Sequence, residues 1–243
     1  MFNFLLFKRM MSAVLLAGLM SGLVLTAVQK VQVSRIILQA EVYEDAAAAS
    51  APAAHSHAEG MPGHVHEAAA AGSREHDDWQ PENGLQRTLF TALANVTMGV
   101  GFALLLMAAI VLRGGGGGWR AGLLWGLAGY AVFFAAPALG LHPEIPGTEA
   151  APLADRQLWW VMTAASSAGG LALLAFNRRM LFKLSGAVLL ALPHLIGAPQ
   201  PAVHGSVAPA ELAQAFIYAS ALANAVFWLT LGGLLAYFHK KFA

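Results

Sequence analysis

The sequence contains no cysteine and is poor in charged residues. Without cysteine there is no disulfide bond and no thiolate metal site, which leaves histidine, methionine, carboxylate and backbone oxygen as available metal ligands. Charged residues make up only 11% of the 243 positions, whereas soluble domains carry about 25%. The net charge of +1 and the lack of a basic patch give no basis for a nucleic-acid-binding surface.

Hydrophobic residues fill 58% of the chain. A water-soluble fold of this length cannot bury so much apolar surface, so the expected solvent is a lipid bilayer. Each transmembrane helix needs about 20 apolar residues. We therefore predict an all-α, polytopic integral membrane bundle of about six helices in a single membrane domain, residues 1–243. The apolar runs are 10–28, 88–112, 119–139, 158–176, 181–196 and 213–237.

The fifth run, 181–196, is short and ends at Pro193 and His194, so five spans is the main alternative. Charge favours six. With the amino terminus in the cytoplasm, six spans put most of the 14 basic residues in cytoplasmic segments and all 13 acidic residues on the outer side. Dropping the fifth span would move Lys240 and Lys241 outside. We predict six spans with both termini in the cytoplasm.

The segment between the first two runs, 44–82, is rich in alanine, histidine, glycine, proline and acid. It cannot build a core, and we predict a disordered outer loop. Residues 31–43 before it look like an amphipathic continuation of the first helix at the outer interface. Histidine-rich tracts indicate metal binding, so we interpret the loop as a metal collector, with a solvated spacer as the alternative. Its candidate ligands are His55, His57, His64, His66 and His76.

A proline-rich segment, AAPALGLHPEIPGTEAAPLADRQLWW (135–160), follows the third run. Pro137 lies inside the end of that run, where its missing N–H frees a carbonyl and bends the helix. His142, Glu144 and Glu149 follow, separated by prolines and glycines that favour a fixed, non-helical path. Imidazole and carboxylate held rigidly at a pore mouth would bind an incoming cation. The alternative is a tight outer turn whose acids face water.

Polar residues also occur in or beside the apolar runs. His194 is a functional candidate because ionisable groups near the membrane core are costly; the alternative is an interfacial histidine that contacts headgroups. Asn95 and Asn224 could line an ion pathway, although hydrogen bonding between helices is the commoner role for such residues. Gly18 and Gly22 form a small-xxx-small pattern that predicts close helix packing.

Two turns of similar composition end the third and fifth runs, PALGLHPEIPG (137–147) and PHLIGAPQPAVHG (193–205). This similarity suggests a repeated two-helix hairpin, as transporters often have. The alternative is that turns leaving a bilayer are simply rich in proline and glycine.

The proline-rich segment, with ALPHLIGAPQP (191–201), resembles the CbtA family of predicted cobalt transporter subunits over nearly the whole chain. The resemblance implies a cobalt permease linked to cobalamin metabolism, without a tightly bound cofactor. It also implies about five spans and a small one-span partner subunit, CbtB, with a histidine-bearing end. Gln157 is expected on the pathway. The positions carried over by motif are His142, Pro143, Glu144, Glu149, Arg156, Gln157 and His194.

We therefore expect a multi-pass uptake permease for Co²⁺ in a bacterial inner membrane, with Ni²⁺ or Zn²⁺ as alternative substrates. The chain carries no ATP-binding motif and no HExxH or catalytic-triad pattern, so we expect no enzymatic activity. A different hypothesis is a non-transporting membrane protein that binds metal outside and recruits a partner.

Overall fold

The computed structural model describes residues 4–50, 81–114, 117–203 and 205–242. In these ranges the regular elements are helices, including two short π-helical turns, and there is no strand, which confirms the all-α prediction. The π turns are Gln29–Val33, between α1 and α2, and Ala131–Ala135, between α4 and α5. The helices are α1 (Phe4–Val28), α2 (Ser34–Ser50), α3 (Leu85–Leu112), α4 (Trp119–Tyr130), α5 (Ala136–Ala138), α6 (Leu153–Phe176), α7 (Met180–Ile196) and α8 (Ala210–Phe242).

Five of the described helical stretches are long and apolar enough to cross a membrane. They are Phe4–Ser50, Leu85–Leu112, Trp119–Ala138, Leu153–Phe176 and Ala210–Phe242. The remaining apolar run forms α7, whose 17 residues give a length of about 26 Å, shorter than a hydrocarbon core of about 30 Å. The chain is thus a multi-pass membrane protein, and the choice between five and six spans depends on α7.

The first helix extends far beyond the predicted span, continuing for 47 residues from Phe4 to Ser50. Residues 31–43 continue the helix as expected, with the π turn at the junction. The prediction of disorder is wrong for residues 44–50, which are helical. This segment is rich in alanine, which has the highest helix propensity of any residue type. It therefore forms a helix although it lacks side chains that could build a core. Residues 51–80 lie outside the described part of the chain.

Glycines set the closest helix contacts. A Cβ atom added at Gly18 of α1 would lie 2.6 Å from the Cα of Val100 in α3, and one added at Gly22 would lie 2.6 Å from the Cα of Val96. Small residues let backbones approach in a bilayer, where apolar surface alone gives helices little reason to associate. The packing face predicted from the spacing of Gly18 and Gly22 is confirmed.

Two further glycine contacts complete the bundle. In α4, Gly122 contacts the backbone of Gly232 in α8. In α6, a Cβ atom added at Gly170 would lie 2.8 Å from the carbonyl oxygen of Gly186 in α7, and the reverse holds at the same distance. Helices α1, α3, α4 and α8 form the main body of the bundle. The α6–α7 pair packs against it through α6, which contacts the π turn Ala131–Ala135 and α5.

Aromatic rings fill the centre of the main body. Phe133, from the π turn before α5, stacks on Trp228 of α8 with ring centroids 5.5 Å apart and planes 6° apart. Phe102 of α3 lies 5.0 Å from Phe133 and 4.8 Å from Trp228. The π turn therefore contributes directly to the core that joins α3, α4 and α8.

The charges separate towards the two ends of the bundle. At the end that we call the acidic end, Nη1 and Nη2 of Arg87 bond to the Glu41 carboxylate at 3.2 and 2.5 Å, joining α2 to the start of α3. At the opposite, basic end, the Arg113 guanidinium lies 4.2 Å above the Phe176 ring, joining the ends of α3 and α6. The acidic residues that the structure describes belong to the first of these ends. They are Glu41, Glu44, Asp45, Glu82, Glu144, Glu149, Asp155 and Glu211.

Candidate functional site

The proline-rich loop between α5 and α6 is anchored by a buried side chain. Ile145 is 3% exposed and packs with Ala40 of α2 and Ala208, just before α8. Two residues on, Gly147 adopts a φ of +75°, which favours glycine, and its carbonyl oxygen accepts a hydrogen bond from the N–H of Val207 at 3.2 Å. The fixed, non-helical path predicted from the prolines and glycines is present.

This loop is also paired with the loop between α7 and α8. Thr148 and Ser206 form an isolated antiparallel bridge, and their hydroxyl oxygens lie 3.3 Å apart. The N–H of Glu149 donates to the carbonyl oxygen of Gly205 at 3.0 Å. The two turns of similar composition noted in the sequence are therefore joined at their ends, on the acidic side of the bundle.

Pro137 lies two residues after the end of the π turn, in α5. Because it has no N–H, the carbonyl of Phe133, four residues earlier, lacks its usual helical donor. The N–H of Ala136 instead bonds to the carbonyl of Ala131, five residues earlier. The predicted disturbance of the helix thus takes the form of a π turn, which occurs frequently at functional sites.

A cavity of about 510 Å³ lies between this loop and the first turns of α6. It brings together five of the seven positions carried over by motif, among them His142, Glu144 and Gln157. Imidazole, carboxylate and amide oxygen can all bind a divalent cation. The other lining residues are Leu141, Pro143, Leu153, Arg156, Trp160 and Val161.

The charge of Glu144 is balanced within the cavity. Its Oε2 accepts a hydrogen bond from Nη2 of Arg156 at 2.9 Å, and each side chain is 30% exposed. At this exposure the pair contributes little to stability, about 0–1 kcal/mol. Its main consequence is electrostatic, since any cation that reaches Glu144 also meets the positive charge of Arg156.

His194 and Glu149 lie elsewhere at the same end. His194 is half-buried in α7, and its ring makes an edge contact with Trp159, the ring centroids being 6.1 Å apart. Trp159 is itself buried at 8% exposure. Glu149 is exposed, beside the bridge between the two loops.

The predicted ligands do not form one cage. Among the described residues, no group of three or more histidine and acidic side chains is close enough to hold a metal ion. His142 and Glu144 share the cavity, whereas Glu149 and His194 lie apart from it. The metal-binding roles of these four residues stay predictions, and the loop histidines lie outside the described part of the chain. Those loop residues are His55, His57, His64, His66 and His76.

Residues 7–240 match the family described as "Probable cobalt transporter subunit (CbtA)". The chain belongs to this family. The match covers nearly the whole chain and confirms the resemblance drawn from the sequence motifs. No curated protein and no solved structure gives a significant match. The word subunit in the family description implies partner proteins.

Asn95 of this CbtA family member joins two helices. Its side-chain nitrogen donates to Thr26 Oγ1 at 3.0 Å and to Gln29 Oε1 at 2.7 Å, linking α3 to α1 and the first π turn. Asn224 donates within α8, to the carbonyl of Ser220 at 3.0 Å. For Asn95 these contacts favour the packing role over the pathway role. The pathway role of Asn224 stays a prediction.

Sequence reasoning missed one set of polar atoms in the CbtA bundle. Trp159 Nε1, Thr163 Oγ1 and Ser167 Oγ are buried and lack a hydrogen-bond partner in the part of the chain that the structure describes. The spacing of four residues between them, which puts them on one helix face, was the available signal. Their lack of partners only becomes visible in the fold.

Proposed function

We propose that this CbtA family protein is the membrane-spanning subunit of a bacterial inner-membrane permease that takes up Co²⁺. The observation that carries the proposal is the cavity beside α6, where His142, Glu144 and Gln157 meet at the acidic end of a multi-pass bundle. The family description supplies cobalt as the cargo, and a ligand set of nitrogen and oxygen suits borderline divalent ions.

The separation of charges supports an orientation with the basic end in the cytoplasm. Basic residues near span ends remain on the cytoplasmic side of a membrane. Arg113, Arg120, Lys240 and Lys241 flank α3, α4 and α8 at that end. The cavity then opens towards the outer side, where the cation arrives.

The cavity is suited to a partly hydrated ion. A water molecule occupies about 30 Å³ of liquid, so 510 Å³ accommodates a divalent ion with several waters. His142 and Glu144 would replace part of the hydration shell, while Arg156 keeps binding weak enough for release. An inside-negative potential would drive uptake, contributing about 4.6 kcal/mol per divalent ion per 100 mV.

The partner is proposed to be a small one-span subunit of the CbtB kind. The histidine-rich segment 51–80 would raise the local concentration of metal near the cavity, in the way that histidine-rich tracts generally collect metal ions. The segment joins α2 to α3, and both of its attachment points lie at the acidic end.

Uptake kinetics test the role of Glu144. We expect Glu144→Gln to lower initial uptake of radioactive cobalt about tenfold at low cobalt concentration, because it removes a ligand and leaves Arg156 unbalanced. Arg156→Gln removes the competing positive charge, so it should strengthen cobalt binding. We expect it to lower the half-saturating cobalt concentration roughly threefold. Competition by Ni²⁺ and Zn²⁺ in the same assay identifies the preferred ion.

Glu211→Gln is the matched control, since Glu211 is an exposed acid at the same end but does not line the cavity. It should leave uptake unchanged. Equal uptake by the wild type and Glu144→Gln would remove Glu144 from the site.

A further inference from the structure

Three polar atoms on α6 are buried without a partner. Thr163 is 0% exposed and Ser167 is 1% exposed, and neither hydroxyl finds a hydrogen bond among the described residues. The indole N–H of Trp159 is in the same situation at 8% exposure. Leaving a buried polar group without a partner costs about 1–3 kcal/mol, so each of these atoms calls for a physical reason.

Other helical hydroxyls in this chain avoid that cost locally. Serine and threonine in a helix can bond to the carbonyl four residues earlier. Ser21 does so to Ala17 at 2.7 Å, and Thr97 does so to Leu93 at 2.9 Å. The same bond is made by Ser12, Thr26, Thr88, Thr91 and Ser185. Thr163 and Ser167 depart from this pattern.

The three atoms recur every four residues along α6, on a side of the helix that is bounded by residues in contact with α7. Trp159 contacts His194 of α7 at one end of this face. Gly170, three residues beyond Ser167, contacts Gly186 of α7 at the other end. Residues 159, 163, 167 and 170 fall within about 80° around the helix. The hydroxyls therefore lie between two points of α6–α7 contact.

This face also leads inward from a predicted site residue. Eight residues of helix separate Trp159 from Ser167, a rise of about 12 Å, which reaches close to the middle of a hydrocarbon core of about 30 Å. On α7, Pro193 has no N–H, so the carbonyl of Leu189 is left without its usual helical donor. A free carbonyl at membrane depth is tolerated where it is buried in protein or lines a water-filled cavity, and a nearby hydroxyl or water can satisfy it.

We propose that the α6–α7 interface holds a transient binding position for a partly hydrated divalent cation, formed by the hydroxyls of Thr163 and Ser167. This inference rests on the proposed transport function and gives it a route inward from His194. The hydroxyl oxygens coordinate the ion or accept a hydrogen bond from one of its waters. The Trp159 N–H is a donor only, so it holds a water of the hydration shell and not the ion. Without a fixed charge the position binds weakly, as a step within a pathway requires.

Isosteric substitutions test the position. The double variant Thr163→Val with Ser167→Ala removes both hydroxyls but keeps the volume nearly unchanged. We expect initial cobalt uptake by the full-length chain in vesicles to fall about tenfold, while the protein remains at least as stable as the wild type, because no hydrogen bond is lost. Thr163→Ser, which keeps a hydroxyl, should retain uptake.

Two control variants lose hydroxyls that have partners. Thr97→Val removes an exposed hydroxyl of α3, and Ser21→Ala removes a fully buried one of α1. Neither variant should change cobalt uptake per folded molecule. Full uptake by the Thr163→Val, Ser167→Ala double variant would overturn the inference.

The absence of native cysteine allows a second, independent measurement. Ser167→Cys gives the chain a single thiol, which we expect a charged, membrane-impermeant thiol reagent to label from the acidic end, more slowly when Co²⁺ is present. Ser21→Cys, equally buried but on another interface, should resist labelling. An unlabelled thiol at position 167 would contradict the proposal even if wild-type uptake is normal. Wild-type vesicles that accumulate no cobalt would instead contradict the proposed function.

Discussion

Glu144 and Arg156 both line the cavity beside α6, with 2.9 Å between Arg156 Nη2 and Glu144 Oε2. A free carboxylate would attract a divalent cation more strongly, but it would also release it more slowly. The paired arginine lowers the net charge of the site while leaving carboxylate oxygens available. The proposed cation site would need this balance of binding and release, which depends on two residues that are twelve positions apart.

Asn95 gives a test at the residue scale that separates packing from permeation. Asn95→Ala would remove the hydrogen bonds to Thr26 and Gln29. We expect a loss of stability of about 1–2 kcal/mol, in the range of polar contacts between membrane helices. Thermal unfolding in detergent, followed by the fraction of monodisperse protein, measures this loss.

Uptake per folded molecule should change little in the same variant. The half-buried Asn224 provides the comparison, because its amide bonds only within α8 and Asn224→Ala should cost less stability. If Asn95→Ala abolished uptake with stability unchanged, Asn95 would belong to the pathway.

The sequence predicts which residues are neighbours when those residues are close to each other along the chain. His142 and Glu144 lie in one short loop, so their shared cavity follows from the loop's rigid path. The distance between His194 and that cavity was not predictable, because it depends on how α7 packs against α6. The unpartnered state of Thr163 and Ser167 was hidden for the same reason.

Among the elements, close packing depends on glycines at helix crossings. The contact of α1 with α3 was predicted from the spacing of Gly18 and Gly22. The contact of α4 with α8 was missed, although Gly122 and Gly126 have the same four-residue spacing. Composition alone does not distinguish a glycine at a crossing from one that faces lipid.

The pair Gly126 and Gly101 tests this distinction. A Cβ atom at Gly126 would overlap the backbone of Trp228, whereas one at Gly101 would meet nothing within 4 Å. We expect Gly126→Ala to destabilise the bundle by about 1–3 kcal/mol through overpacking. Gly101→Ala should be neutral or slightly stabilising, since alanine favours helix more than glycine.

Thermal stability of the two purified variants in the same detergent gives the comparison. Equal stability of Gly126→Ala and Gly101→Ala would mean that α4 and α8 do not approach each other this closely.

The length of the first helix shows why element boundaries were harder to predict than element types. The apolar run ends at Val28, but alanine and glutamate continue the helix to Ser50. Hydropathy marks where a chain leaves the lipid and not where its helix ends. The segment α2 therefore projects beyond the bilayer and supplies Ala40 to anchor Ile145 of the proline-rich loop.

For the whole molecule, the membrane topology depends on whether α7 crosses the bilayer. Its 17 residues suit a tilted or thin span only if the local bilayer adapts to the mismatch. The charge pattern favours six spans because Lys240 and Lys241 then remain in the cytoplasm with the other basic ends.

Single-cysteine labelling resolves this point in the cysteine-free chain. With six spans, a membrane-impermeant reagent added outside intact cells should label Glu149→Cys, and Lys240→Cys should react only after the membrane is opened. Outside labelling of both positions would contradict the six-span topology and the proposed orientation.

Accumulation of radioactive cobalt in sealed vesicles is the most direct test of whether this protein transports cobalt. The vesicles would contain the full-length chain with the proposed one-span partner and would carry an imposed inside-negative potential. We expect cobalt well above the level of protein-free vesicles, since 100 mV can support a divalent gradient on the order of a thousandfold. Cobalt no higher than in protein-free vesicles would contradict it.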